Sequence, residues 1–183
     1  MTGTVLVPKT ISTRRVYEGQ VINLRLDTLQ IGTSVQATRE IVEHRGAVVI
    51  LPVTRIQTVL LVRQWRQAAG KILLEAPAGT IEPDEQPEVT AQRELQEEVG
   101  YLATNLRPFG AFYTAPGFCN EFIYAYVATG LSRSILPQDA DEDVNVEETA
   151  LADLPSLISS GAIVDAKTIA ASLMMLSSAT ELL

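Results

Sequence analysis

The stretch from Gly79 to Tyr101, GTIEPDEQPEVTAQRELQEEVGY, constrains this chain more than any other. From Pro87 onward its pattern predicts a helix. Pro87 suits a first helical turn, where its missing N–H would have no partner in any case. Val89, Ala91, Leu95 and Val99 supply an apolar stripe, and Gly100 reads as the stop. On that helix Glu94, Glu97 and Glu98 stand at i, i+3 and i+4, so their carboxylates share one face. Like charges spaced this way cost about 0.2–0.5 kcal/mol per pair, and more when desolvated. Water can solvate such a face, or a cation can neutralise it. Converging carboxylate oxygens suit Mg2+ or Mn2+.

The flanking residues narrow that choice. Gly79, Glu85, Arg93-Glu94-Leu95, Glu97-Glu98 and Gly100 fall in the order G-x5-E-x7-R-E-U-x-E-E-x-G-U, where U is bulky and apolar. The last U departs from the pattern, since Tyr101 keeps the bulk and adds a hydroxyl. Seven of these positions each require one residue type. At roughly one in fifteen per type, a chance match is on the order of 10⁻⁸ per starting position. The pattern is the Nudix box, and the chain resembles the Nudix hydrolases, which cleave nucleoside diphosphates linked to a further moiety.

Charge fits that resemblance. The net charge of −8 argues against a nucleic-acid surface, which needs clustered Lys and Arg. An acidic site binds a phosphate ester only when metal cations bridge the two. With 183 residues, 46% hydrophobic and 20% charged, the chain reads as one soluble domain with a real core. Cys119 is the only cysteine, so no intrachain disulfide is expected. No signal peptide and no membrane-spanning run is evident, and the cytoplasm is the default.

Strands are expected over 10–31, where polar and apolar residues alternate between Gly19 and Gly32, and again over 37–45. The runs 46–53 and 58–64 are apolar and β-rich, as buried strands are. Arg63 and Arg66 flank Trp65. They suit either a phosphate, which matches the guanidinium fork, or surface ion pairs. His44, the only histidine, reads as structural or surface. Gly79 reads as a backbone requirement, a tight turn near a metal, beside which Ala78 can offer a carbonyl. A strand within 109–118 ends in a Pro-Gly turn, and another covers 121–128. The acidic segment 137–148 reads as a loop, either solubilising or a lid that delivers a further carboxylate. Beyond Asp153, helix signals follow, with Ile169, Leu173 and Leu176 on one core-facing side and no chemistry apparent. The order of strands, helix, strands and helix suggests an α+β or α/β/α layered domain.

Further strings resemble the ADP-ribose pyrophosphatases among the Nudix hydrolases. They are YEGQVINL at 17–24, REIVEH at 39–44, VRQWR at 62–66, LEAPAG at 74–79, GAIVDAKT at 161–168, and Pro116-Gly117-Phe118 followed by Glu121. The resemblance implies an α+β Nudix fold, an α/β/α sandwich over 45–183, with an N-terminal antiparallel sheet subdomain over 1–44. That subdomain would be swapped between the subunits of a homodimer. The resemblance also implies Mg2+-dependent hydrolysis of ADP-ribose to AMP and ribose 5-phosphate. Ala78, through its carbonyl, Glu94 and Glu98 would bind Mg2+, with Mn2+ able to substitute. Glu97 would stand beside them as ligand or base, and the box Arg93 would belong to the catalytic set. Arg66 would hold the pyrophosphate, Ile22 and Arg39 of a partner subunit would contact adenosine, and Gly117 and Glu121 the terminal ribose. Family members often carry D-E-D-E in the acidic loop. Here it reads Asp139-Ala140-Asp141-Glu142, which leaves Glu142, Glu97 or a flanking aspartate as metal ligand or base. Two other readings share the box: a broader ADP-sugar pyrophosphatase, and a sensor that binds ADP-ribose without cleaving it. Such sensors usually have a degraded box, and this one is intact.

Overall fold

The computed structural model describes residues 5–138 and 143–178. The chain divides into two compact units, one formed by 1–46 with 113–122 and the other by 47–112 with 123–183.

In the first unit, β1 (Lys9–Glu18), β2 (Ile22–Ile31) and β3 (Val35–His44) form an antiparallel meander in that order. Gly32, at φ +61°, allows the tight connection from β2 to β3. The buried anchor of β2 is polar. Asp27 accepts from Thr13 at 2.8 Å and from Arg25 Nε at 3.1 Å, and Arg25 also binds Glu43 on β3. Ile11, Val16, Tyr17, Val21 and Val35 are exposed. Segment 113–122 adds to the outer side of β3 through paired bonds, Val42 N–H to Phe118 O at 2.8 Å and Asn120 N–H to Val42 O at 3.1 Å.

The second unit holds two sheets. One has the order β10-β5-β6, with β5 at Thr58–Arg66, β6 at Lys71–Glu75 and β10 at Val144–Ala150. The other has the order β7-β4-β9-β8, with β4 at Ala47–Pro52, β7 at Ala78–Thr80, β8 at Tyr101–Tyr113 and β9 at Phe122–Arg133. Strands β4 and β9 run parallel. Alternation along β4 builds two cores. Val48 and Ile50 pack with Ala91, Leu95 and Val99 of α1 (Pro87–Glu98) and its cap. Val49 and Leu51 pack with Leu154 of α2 (Leu154–Ser159) and with Ala171 and Met175 of α3 (Ala166–Ser177). Helices thus cover both faces of the strands, the layering expected of an α/β/α domain. Among the described residues no helix is long and apolar enough to cross a membrane.

Three details differ from the sequence reading. The acidic segment 137–148 is not all loop, because Val144–Ala150 is a strand paired to β5. Its acids are tolerated at a sheet edge, where Glu147 reaches Arg63. Val89 is 57% exposed, and the inward face of α1 is instead Thr90, Ala91, Glu94, Leu95 and Glu98. On α3, Leu173 is 49% exposed, while Thr168, Ala171, Ser172 and Met175 turn inward. The first turn sets that rotation. Asp165 caps the helix by accepting from Thr168 N–H at 3.0 Å, and Thr168 Oγ1 accepts from Ala76 N–H at 2.8 Å.

Candidate functional site

Helix α1 begins with Pro87 at its first turn and ends against Gly100, whose φ of +74° stops it. Between them the acidic face points inward. Glu94 is 8% and Glu98 3% exposed, so water does not solvate this face. Both carboxylates lie against β7. Glu98 Oε2 accepts from Ala78 N–H at 3.1 Å. A Cβ built on Gly79 would meet Glu94 Oε1 at 1.8 Å. Gly79 therefore serves close approach rather than a turn. It sits in strand β7 opposite Val48, and its φ is not positive.

Arg93 holds the remaining acids in place. Its Nε donates to Glu85 Oε1 at 3.1 Å and its Nη2 to Glu85 Oε2 at 3.1 Å, a bidentate pair. Its Nη1 donates to Glu94 Oε1 at 2.7 Å and to Glu97 Oε2 at 2.9 Å. Burial opposes the charge on Arg93, but the bonds to Glu85 and the field of Glu94 outweigh it and raise the pKa. Arg93 is thus a permanent cation that fixes three of the four box glutamates. The balance among Glu85, Arg93, Glu94, Glu97 and Glu98 stays anionic, which suits a further cation. The donor set is hard oxygen throughout, as Mg2+ requires. Among the described residues no three Asp, Glu, His or Cys side chains stand together as a metal cluster. Asp139, Ala140, Asp141 and Glu142, the loop that could add a ligand or a base, lie outside the described residues.

Glu85 gives a testable pH signature. Its bond to Arg93 lowers its pKa below the ordinary 4.5, against burial and with help from Thr90 and the Glu82 backbone. A depressed carboxyl pKa stabilises the fold above the unfolded value and loses that effect as pH falls through the folded one. Glu85→Gln should therefore melt at a lower temperature at neutral pH. The gap from the parent should close as pH drops below about 4.5. Thermal melts across the acid range read this, and a gap that does not change with pH would rule out the ion pair as its source.

Arg66, at the end of β5, does not wave in solvent. Its Nε and Nη2 bind Glu75 at 3.0 Å and 2.7 Å, and Glu75 is 1% exposed. Glu98 also favours its charge, so Arg66 lies within the electrostatic reach of the box helix. Arg63 instead makes the surface pair with Glu147. In the first unit, Ile22 opens β2 and is exposed, and Arg39 on β3 is exposed with Nη1 on the Thr38 carbonyl at 3.1 Å. Gly117 lies in an exposed turn where nothing would meet a Cβ. Glu121 Oε2 accepts from Thr114 Oγ1 at 2.6 Å. His44 is structural, since its Nδ1 accepts from Gly46 N–H at 3.1 Å and its own N–H binds Asn120. Sequence reasoning missed Glu75, Asp165 and Lys167. The only signal for them was their place inside the LEAPAG and GAIVDAKT strings.

Comparison with known proteins places the chain among similar sequences and folds. An ADP-ribose pyrophosphatase of Bacillus subtilis (strain 168) is 40% identical over 165 residues, 89% of each chain. A methanol dehydrogenase activator of Bacillus methanolicus is 37% identical over 171 residues, 92% of each. The crystal structure of an ADP compounds hydrolase shares the fold, with a TM-score of 0.87 over 98% of this chain and 97% of that one, at 22% identity. The NUDIX domain matches residues 43–171, a span that takes in the whole box. This chain belongs to the NUDIX domain family.

Proposed function

We propose that the protein hydrolyses ADP-ribose, adding one water across the P–O–P bridge to release AMP and ribose 5-phosphate. The buried pair of Glu94 and Glu98 against the Gly79 strand carries this reading. Such carboxylates in a Nudix chain are suited to a divalent cation, and the 40% identical relative is an ADP-ribose pyrophosphatase. Glu94, Glu98 and the Ala78 carbonyl would hold Mg2+, with Glu97 or Glu142 completing the set. When bound, Mg2+ supplies the charge that lets an acidic site take a pyrophosphate, and it lowers the pKa of a water. Glu97 or Glu142 would accept a proton from the attacking water. Arg93 keeps Glu94 and Glu97 oriented, and Arg66 presents a fixed cation to the pyrophosphate. Gly117 and Glu121 read the terminal ribose, and Ile22 and Arg39 contact adenosine from the partner subunit of a homodimer. The exposed apolar residues of β1 and β2 support a homodimer built on residues 1–44. A net charge of −8 and a single cysteine fit a cytoplasmic enzyme that does not bind nucleic acid.

The test is Mg2+-dependent AMP release from ADP-ribose, ADP-glucose and NADH, with 8-oxo-dGTP hydrolysis as an outgroup. ADP-ribose should lead in kcat/KM by at least about tenfold, because a site that bonds the terminal ribose hydroxyls is mismatched by the differently placed hydroxyls of a pyranose and by the nicotinamide that replaces the anomeric hydroxyl in NADH. A flat profile across the ADP compounds would mean that only the ADP half is read. Binding of ADP-ribose with no hydrolysis would replace the enzyme reading with a sensor.

A further inference from the structure

Arg66 is oriented by a chain of charges that begins on another helix. Glu75 ends β6 with both carboxylate oxygens engaged by the Arg66 fork. Its Oε2 also takes the ammonium of Lys167, from the first turn of α3. Lys167 Nζ binds Asp165 Oδ2 at 3.0 Å, and the same Oδ2 caps the helix through Thr168 N–H. Lys167 is only 13% exposed on its side chain, so this is an interior contact. Burial pushes the Glu75 pKa up, and Arg66 and Lys167 together outweigh it and hold it down.

An arginine on a strand end has several rotatable bonds, and one carboxylate partner leaves it room to swing. A carboxylate shared by a guanidinium and an ammonium has its lone pairs filled from two directions, so neither partner moves without the other. The lock leaves Arg66 Nη1 as the guanidinium nitrogen that makes no bond to Glu75. We infer that Lys167, acting through Glu75, is a positioning residue that aims Arg66 at the pyrophosphate of a nucleoside diphosphate substrate. The α3 start thereby tunes catalysis as well as packing. This inference rests on the reading of Arg66 as the pyrophosphate contact.

A double-mutant cycle separates the two. Arg66→Ala alone should lower kcat/KM for ADP-ribose by about a hundredfold. Lys167→Met should lower it by about tenfold, and Lys167→Arg should return it to within about threefold of the parent. In the Arg66→Ala background, Lys167→Met should change kcat/KM by less than about twofold, because the residue it positions is gone. Melting temperatures are read beside each rate, and Lys167→Gln replaces Lys167→Met in the cycle if the latter does not fold. An equal loss in both backgrounds would overturn the positioning role, since a purely structural brace acts with or without Arg66. An unchanged rate in Lys167→Met would overturn it as well. Unchanged kcat/KM in Arg66→Ala would instead remove the pyrophosphate contact, and the positioning role with it.

Discussion

Glu98→Gln should slow ADP-ribose hydrolysis by about a hundredfold or more at saturating Mg2+ without unfolding the protein. The carboxylate is 3% exposed and sits beside the Ala78 backbone, its Oε2 accepting from Ala78 N–H at 3.1 Å. Glutamine has nearly the same shape, and its amide oxygen can keep that bond. What disappears is one negative charge on a face that already carries Glu94 and Glu97. In the absence of metal this loss relieves like-charge repulsion, so the melting temperature should hold or rise. Removing a charge that function requires and folding opposes is the usual form of a stability–activity trade-off. Two readings therefore move in opposite directions, with kcat falling steeply and metal-free stability not falling. Adding Mg2+ should raise the melting temperature of the parent more than that of the variant, since a ligand stabilises only as it binds the folded state. Near-normal turnover of Glu98→Gln at saturating Mg2+ would sink the assignment of this carboxylate to the metal.

The parts of the site that were legible in the sequence are those whose reasons are local. Pro87 and Gly100 bound α1 because one fixes φ and the other permits a positive φ, and both effects act within a turn. The i, i+3, i+4 spacing set Glu94, Glu97 and Glu98 on one side of the helix for the same reason. Whether that face met solvent or protein was not local, and only the packing of α1 on β4 and β7 decides it. Val89 shows the limit. It belongs to the apolar set, yet the helix turns Thr90 and Glu94 inward in its place because the carboxylates must reach Gly79. The strand Val144–Ala150 was hidden by composition, since its glutamates read as loop until Arg63 and Thr58 on β5 supply partners across the pair. The Lys167–Glu75 contact joins residues 92 apart in the chain, and no periodicity carries such information. The same holds for segment 113–122, whose grouping with β3 comes from two backbone bonds rather than from any pattern in its own residues.

Gly79→Ala should abolish most activity by displacing one carboxylate, with a smaller effect on the fold. The added Cβ would lie 1.8 Å from Glu94 Oε1 and 2.0 Å from its Cδ, far inside contact distance. One side must yield. The backbone of β7 is paired to β4 through Val48↔Gly79, and Val48 is fully buried, so the strand is the stiffer partner. The far end of Glu94 is the softer one, a terminal carboxylate on a side chain with several rotatable bonds, whose Oε1 accepts from Arg93 Nη1 at 2.7 Å. The methyl group should push that carboxylate out of place while Glu98 and Ala78 stay where they are. Overpacking of this kind costs about 1–3 kcal/mol, which in a chain of this size lowers the melting temperature by roughly 2–4 °C per kcal/mol. The rate should fall by about a hundredfold, comparable to loss of a ligand, because a carboxylate misplaced by an ångström no longer serves the cation. Shortening the side chain in the double variant Gly79→Ala with Glu94→Asp should recover stability but not rate. The two measurements together identify what the glycine is for. A Gly79→Ala variant with the parent's kcat would mean that Glu94 need not occupy the position it holds beside β7. A loss of both folding and rate, with no recovery of stability on shortening Glu94, would mean that the strand yields and the carboxylate does not.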